Sequence, residues 1–450
     1  MINLIKKRID FAISFGLVSK VGIAIIGILT LGLLTRFLSI KEAAIFFLFL
    51  QAIKFLGVFL TFGYKNVIQK KIGILYKDQK NNLIRNVIKK VNILLLIKSL
   101  IIFVLFIFFW PKLNTTFFNG YFSYFNATLI FCIGLLRSIE LLLSAYFRSK
   151  RDYLSGTILL GLPRDLLILV YVFISSNFYE LTLHKIINFY FFVSLIIVSY
   201  FILQIYYKDF FKGKKTKLCS EEESYSALFF LALPMNIYLL SNIVYTTSDL
   251  WIIRYFLLDI DVALYAAATK LVALLILPLT IINYVIPSVI ASSFKRGELE
   301  ILELVSRGSA FIVSLAAASI FIFFTFFDEK ILEIIFGDGY QNASIYLNIL
   351  VFGYFMSAFC GSPGVVLQMT GSHKILTVIT LIIAIINVCL NIVFVQKFGA
   401  MGVAIVTSLS LFINNIIITI LVYRRIQILT IPFVSISKIR EFFKIIRAEI

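Results

Sequence analysis

Ten ionisable side chains sit inside stretches otherwise dominated by Ile, Leu, Phe and Val: Lys20, Lys54, Lys98, Arg137, Glu140, Arg164, Asp165, Asp249, Arg254 and Lys270. A charge at the centre of a bilayer costs about 2.5–3.5 kcal/mol on insertion scales. Such residues turn away from lipid, pair with one another, or reach an interface along their own apolar stems. Seven of the ten are cationic and three anionic, so complete pairing leaves a cationic surplus. The simplest home for that surplus is a water-filled, net-positive cavity. Such a cavity favours an anionic ligand, a diphosphate above all.

The ten are not equivalent. Lys20, Lys54, Asp249 and Lys270 have no opposite charge three or four residues away, and they are the strongest cavity candidates. Arg164 lies near mid-depth of its stretch and joins them. Arg137 and Glu140 are one helical turn apart, so either they pair along one face or Arg137 also lines the cavity. Arg164 and Asp165 are sequence neighbours and are expected to point in different directions. Lys98 is about two turns from the inner end of its stretch, within reach of the interface, and Arg254 lies near an outer end. Among the acids, Asp249, Glu140 and Asp165 are candidates for binding a coupling ion or for balancing charge. Asp249 stands alone as a deep acid in the second half, where it can also neutralise Arg254 or Lys270.

No other chemistry presents itself. A P-loop, an HExxH zinc motif and a GxSxG nucleophile elbow are all absent, and Gly213-Lys214-Lys215-Thr216 lacks the upstream glycine that a P-loop needs. The four cysteines form no CxxC pair, which argues against a disulfide framework or a zinc site. His184 and His373 are far apart and read as boundary residues. No cofactor is called for, and an enzyme is not expected.

The elements that must position these charges follow from composition. The chain has 450 residues, 61% hydrophobic and 14% charged, with a mean hydropathy of +1.00. Soluble domains are about 45–50% apolar and about 25% charged. The fold class is therefore all-α polytopic membrane protein. Apolar runs of spanning length fall near 13–35, 43–63, 92–110, 122–147, 154–175 and 185–207, then near 227–256, 262–290, 308–327, 341–366, 374–395 and 399–423. That is about twelve spans. The first is too long for a signal-peptide core and is expected to stay as a membrane helix.

Charge orients the spans. With both termini cytoplasmic, the inside segments hold most of the 42 Lys and Arg, whereas the outside segments hold Arg36, Lys41, Lys112, Lys185, Lys330 and Lys397. That bias matches the positive-inside pattern and accounts for most of the +19 net charge without a nucleic-acid partner. The organisation expected is a six-helix lobe over 1–212, a cytoplasmic linker over 213–226, a second six-helix lobe over 227–425, and a basic amphipathic tail over 426–450. The basic stretch 64–91 carries Ile68, Ile72, Leu75, Leu83, Ile84 and Val87 at helical spacing, and is expected to lie on the anionic cytoplasmic leaflet. Glycines in the first span and Pro234, Pro278 and Pro363 mark helices that can bend or break.

Short motifs then recur in a familiar order. They begin with Gly32-Leu33-Leu34-Thr35-Arg36-Phe37-Leu38 and Phe62-Gly63-Tyr64. Ser248-Asp249-Leu250-Trp251 and Tyr265-Ala266-Ala267-Ala268-Thr269-Lys270 follow. Phe336-Gly337-Asp338-Gly339-Tyr340, Thr370-Gly371-Ser372-His373-Lys374 and Phe398-Gly399-Ala400-Met401-Gly402 complete the series. Over nearly its whole length the chain resembles the polysaccharide-biosynthesis, O-antigen-type flippases of the multidrug/oligosaccharidyl-lipid/polysaccharide (MOP) exporter superfamily. It departs at Glu42-Ala43-Ala44, where that family usually has a glycine.

The resemblance implies two pseudo-twofold-related six-helix lobes around a central cavity, working by alternating access in the bacterial inner membrane. It implies an undecaprenyl-diphosphate-linked oligosaccharide as substrate, with Lys20, Lys54, Arg164 and Lys270 at its anionic head group. It also implies coupling to a proton or sodium gradient, membrane lipid around the chain, and a polysaccharide polymerase and chain-length regulator as partners. A multidrug exporter of the same superfamily and a peptidoglycan-precursor flippase are the alternatives.

Overall fold

The chain is helical wherever it is apolar. A computed structural model describes residues 2–77, 81–150, 152–178, 181–207 and 224–433, together with 438 and 442. Fourteen α-helices occur among them: α1 (Ile2–Phe37), α2 (Ile40–Thr61), α3 (Tyr64–Lys77), α4 (Asn81–Phe118), α5 (Tyr124–Ser149), α6 (Tyr153–Ile158), α7 (Leu162–Phe178), α8 (Leu183–Ile205), α9 (Tyr225–Phe256), α10 (Asp259–Arg296), α11 (Leu299–Phe336), α12 (Ser344–Phe359), α13 (Pro363–Met369) and α14 (His373–Ile426). The described residues contain no strand. Ten of the helices are long and apolar enough to cross a membrane. The protein is an all-α, multi-pass membrane protein. Its helices form two compact units, Met1–Ile243 and Val244–Ile450.

In the first unit, α2 starts on a reciprocal cap. Ser39 Oγ accepts from the Glu42 amide at 3.3 Å, and Glu42 Oε2 accepts from the Ser39 amide at 3.2 Å. The same Glu42 accepts from the Tyr121 hydroxyl, which gives the family-atypical residue a local purpose. α2 ends where Phe62 and Gly63 both take positive φ, 50° and 74°. A Cβ on Gly63 would stand 2.7 Å from the Ala232 carbonyl oxygen and 2.9 Å from the Asn236 amide, so α9 passes too close for any side chain there. Small residues also let α5 approach α2. Gly134 faces Leu56, Gly57 faces the Arg137 stem, and the Thr61 and Ser138 hydroxyls meet at 3.0 Å.

Two readings are revised here. The apolar face of the stretch 64–91 is covered by protein rather than lipid. Tyr64, Val67, Ile68, Ile72, Ile84 and Val87 are buried with Leu142, Tyr146, Phe147 and Leu228 in one core. An amphipathic face is satisfied equally by lipid or by protein, and helices α5 and α9 supply the protein. The apolar run 154–175 is not one helix either. It breaks between α6 and α7 at Gly161, where φ is 133°. Pro163 then occupies the first turn of α7, where its missing amide costs nothing.

In the second unit, Pro278 and Pro287 lie within the continuous α10, and Gly297 closes it at φ 76°. α11 changes course at Phe327. The run 341–366 is divided: α12 stops at Cys360, Gly361 takes φ 71°, and Pro363 opens α13. α14 holds the last two apolar runs in 54 residues, interrupted at Gly399 with φ 61° and ψ −149°. A Cβ on Gly402 would lie 2.5 Å from the Phe394 oxygen, so the backbone doubles back here rather than bending. The expected linker lies outside the described residues up to 223, as does the tail beyond 433 except for 438 and the buried Phe442, whose ring packs against Gly308.

Candidate functional site

The α6–α7 break organises the charges of the first unit. It exposes the Leu160 carbonyl, which accepts from both Nη1 and Nη2 of Arg137 at 3.4 Å. It also places Arg164 and Asp165 in the first turn of α7, opposite α5. Glu140, 1% exposed, then accepts from two arginines through one oxygen. Oε2 lies 2.6 Å from Arg137 Nη1 and 2.8 Å from Arg164 Nη1. Arg164 Nε reaches Asp165 Oδ1 at 3.2 Å, so these neighbours converge rather than diverge as expected. The Arg164 guanidinium stacks 5.2 Å from the Tyr190 ring centroid. Gly161 is required in this arrangement, because a Cβ there would stand 2.7 Å from Arg164 Nη2.

Four expected site residues thus form one network, with two positive and two negative charges. Its balance matters for function. Buried ion pairs are tolerated when every partner is engaged, and a neutral network contributes no cationic surplus. The surplus of the first unit lies elsewhere. Lys20 on α1 is half-buried near Arg148, and Lys54 on α2 is exposed, one turn from Gly57. Lys65, at the start of α3, is half-buried beside Arg148, Arg137 and Lys20. Burial comes first, and the three neighbouring cations add to it, holding the Lys65 ammonium down at about 8. Lys65 and Arg148 escaped the sequence reading because both sit at ends of apolar runs, where a cation reads as an ordinary inside-loop charge.

In the second unit, Asp249 on α9 is buried and accepts from the Tyr265 hydroxyl of α10 at 3.0 Å. Elsewhere in this unit, Asn387 and Asn391 of α14 are fully buried. Asn391 donates to Asn387, which donates to Ser410. Lys270 is half-buried on α10. Arg254 is buried and donates to Asp259 at 2.7 Å. Lys98, in the first unit, does not reach along its own helix to the interface. Its ammonium donates to the Phe59 carbonyl and sits over the Phe59 and Phe62 rings. His184 stacks on Tyr121 at 5.0 Å, in keeping with a boundary residue. The described residues hold no group of three or more His, Cys, Asp or Glu suited to a metal ion.

Comparisons with known proteins agree with this picture. A family model described as polysaccharide biosynthesis protein matches residues 12–294, and one described as MatE matches 234–393. A probable low-salt glycan biosynthesis flippase, Agl15, from Haloferax volcanii is 27% identical over 174 residues. That alignment covers 38% of this chain and 37% of the relative's length. Among solved structures, the lipid II flippase MurJ in an inward closed conformation superposes with a TM-score of 0.69 at 14% identity, covering 97% of this chain and 93% of that one. An inward-facing multidrug resistance MATE transporter gives 0.66 at 16% identity, covering 89% and 93%. A MOP superfamily transporter from Pyrococcus furiosus, described as having a binding pocket of reverse polarity, gives 0.62 at 15%, covering 94% and 96%. At these identities the structures speak for the fold alone. The match over 12–294 carries the family: this chain belongs to the polysaccharide biosynthesis protein family.

Proposed function

We propose that this protein is a flippase for an anionic lipid-linked oligosaccharide, working as a transporter rather than an enzyme. The observation that carries the reading is the family match over 12–294, and it is joined by a first unit whose cations outnumber its acids. An undecaprenyl-diphosphate-linked repeat unit of O-antigen or capsule is the substrate proposed, moved from the inner to the outer leaflet of the bacterial inner membrane by alternating access. Its diphosphate complements Lys20 and Lys54 of the first unit, and its lipid tail stays in the bilayer. Arg137 and Arg164, held by Glu140 and Asp165, serve to shape the site. A polymerase and a chain-length regulator are the partners that would consume the product.

Asp249 is the coupling residue we propose. A buried carboxylate that accepts from a tyrosine hydroxyl can take up a proton or a sodium ion, so the gradient would act within the second unit.

The MatE match over 234–393 favours a second reading, a small-molecule exporter. Exporters of cationic compounds need an acidic or aromatic pocket, and the cationic surplus of the first unit argues against that. One experiment separates the two readings. Lipid-linked oligosaccharide and surface glycan are quantified in a strain deleted for the gene, with and without a plasmid copy. Accumulated full-length lipid-linked units together with lost surface glycan, both reversed by the plasmid, are expected. Unchanged pools and unchanged glycan would overturn the reading in favour of the exporter.

A further inference from the structure

Of the ten helices able to cross a membrane among the described residues, α4 is the least enclosed by protein. Its most apolar stretch is 17% buried, against 61% for α2 and 56% for α5. Its packing on α5 is also interrupted. At the basic end of α4, Val91 and Leu95 share a core with Leu142 and Tyr146 of α5. About two turns further on, the Phe103 and Phe106 rings lie 5.1 and 5.7 Å from the Phe131 ring. Between these two anchor points the helices stand apart and leave a trough of about 480 Å³. Leu96, Ser99 and Phe103 of α4 line it, with Phe131, Cys132 and Leu135 of α5. Ser99 and Cys132 are too short to close the gap.

The trough offers water nothing to hold. The Ser99 hydroxyl already donates to the Leu96 carbonyl at 2.9 Å, and the other lining residues are apolar apart from the Cys132 thiol. A buried water needs two or more polar partners, so at membrane depth hydrocarbon fills the space. Length and charge say which hydrocarbon. The trough stops where Phe103 meets Phe131, fourteen residues or about 21 Å along α4 from Lys89. Half of a bilayer's hydrocarbon core is about 15 Å thick. The trough therefore serves one leaflet and matches a chain that ends at the midplane, whereas a polyprenyl chain is far longer. Lys89 is exposed and precedes the exposed Leu96 and Leu100 by seven and eleven residues, so the three share one stripe of α4. α4 contains no Asp or Glu. The open end of the trough thus presents an ammonium whose stem can extend to head-group level.

We propose that the trough and Lys89 form a binding site for an anionic phospholipid, with one acyl chain between α4 and α5 and the phosphate at Lys89. The lipid comes from the leaflet on the basic side of the chain, the cytoplasmic one by the positive-inside pattern. The site shares no residue with the Arg137–Glu140–Arg164 network and does not depend on which substrate the protein carries. A bound chain completes the packing of α4 on α5, so the lipid also stabilises the first unit.

The test is photolabelling of the purified full-length protein in nanodiscs, with the labelled residues mapped by mass spectrometry. Phosphatidylglycerol and phosphatidylcholine carrying the same diazirine acyl chain are compared at equal mole fraction, and diazirine-bearing undecaprenyl phosphate is the third probe. Phosphatidylglycerol is expected to label 96–103 and 131–135 about fivefold more than phosphatidylcholine, the scale of one lysine at an anionic lipid surface. Lys89→Gln is expected to bring phosphatidylglycerol down to the phosphatidylcholine level, and Lys89→Arg to keep the preference. Ser99→Leu, which puts a larger side chain into the trough, is expected to lower labelling there by both phospholipids. Phosphatidylglycerol is expected to raise the melting temperature of wild type more than that of Lys89→Gln, whose exposed position leaves folding intact. Equal labelling of wild type by the two phospholipids would mean ordinary bilayer contact and overturn the proposal. Stronger labelling by undecaprenyl phosphate would assign the trough to a polyprenyl chain and overturn it too. A phosphatidylglycerol preference that survives Lys89→Gln, or label that avoids the trough altogether, would contradict the site as drawn.

Discussion

Glu140 is the residue on which the first unit's charges depend. One carboxylate oxygen serves two arginines at 2.6 and 2.8 Å, out of reach of water. Glu140→Gln keeps the shape and removes the charge, leaving buried Arg164 with Asp165 and half-buried Arg137 with the Leu160 carbonyl. Breaking such a pair costs about 3–5 kcal/mol. The variant is expected to melt well below wild type in detergent, while Lys112→Gln, at an exposed position, is expected to be unchanged. Equal melting of Glu140→Gln and wild type would mean the network is not a strut. The pairing of Arg137 with Glu140 was legible from their spacing. The role of Arg164 was not, because its partner lies 24 positions away and only the break at Gly161 turns it toward α5. Lys65 was invisible for the opposite reason: it reads as an ordinary inside-end cation, and only its burial beside Arg148, Arg137 and Lys20 sets it apart.

At the scale of elements, glycines mark where the helices must turn, and two of them separate conformation from clearance. Gly63 and Gly297 both have φ near 75°, but Gly63 is pressed against the α9 backbone while Gly297 has nothing within 4 Å. Alanine at Gly297 carries only the left-handed conformational cost, about 1–2 kcal/mol. Alanine at Gly63 adds a clash with backbone that cannot swing aside. Thermal melts of the two variants are expected to show a clearly larger loss for Gly63→Ala, and equal losses would contradict the close approach of α9. Most spans were readable from apolar runs because lipid enforces length and composition. The break at Gly161 was not, since Leu160 and Leu162 keep the run apolar through the interruption, whereas Pro363 marked the one at Gly361. What covers the apolar face of α3 was not legible, because periodicity reports that a face is apolar and not what packs on it.

For the whole molecule, charge is the distinguishing quantity. The fold is shared with transporters described as multidrug and lipid II carriers, so fold alone does not choose the substrate. The balance of charges within the first unit does more. Its ion network of Arg137, Glu140, Arg164 and Asp165 balances two positive against two negative charges, while the unit as a whole carries more Lys and Arg than Asp and Glu. The most direct measurement is translocation by the purified protein. Proteoliposomes are loaded with undecaprenyl-diphosphate oligosaccharide, and the fraction of sugar open to a membrane-impermeant glycosidase is followed with time under an imposed proton or sodium gradient. Folded wild-type protein is expected to raise that fraction above the plateau of protein-free vesicles, with Asp249→Asn failing to respond to the gradient. A plateau indistinguishable from protein-free vesicles under either gradient, with protein that is monodisperse and binds the lipid, would contradict the flippase assignment.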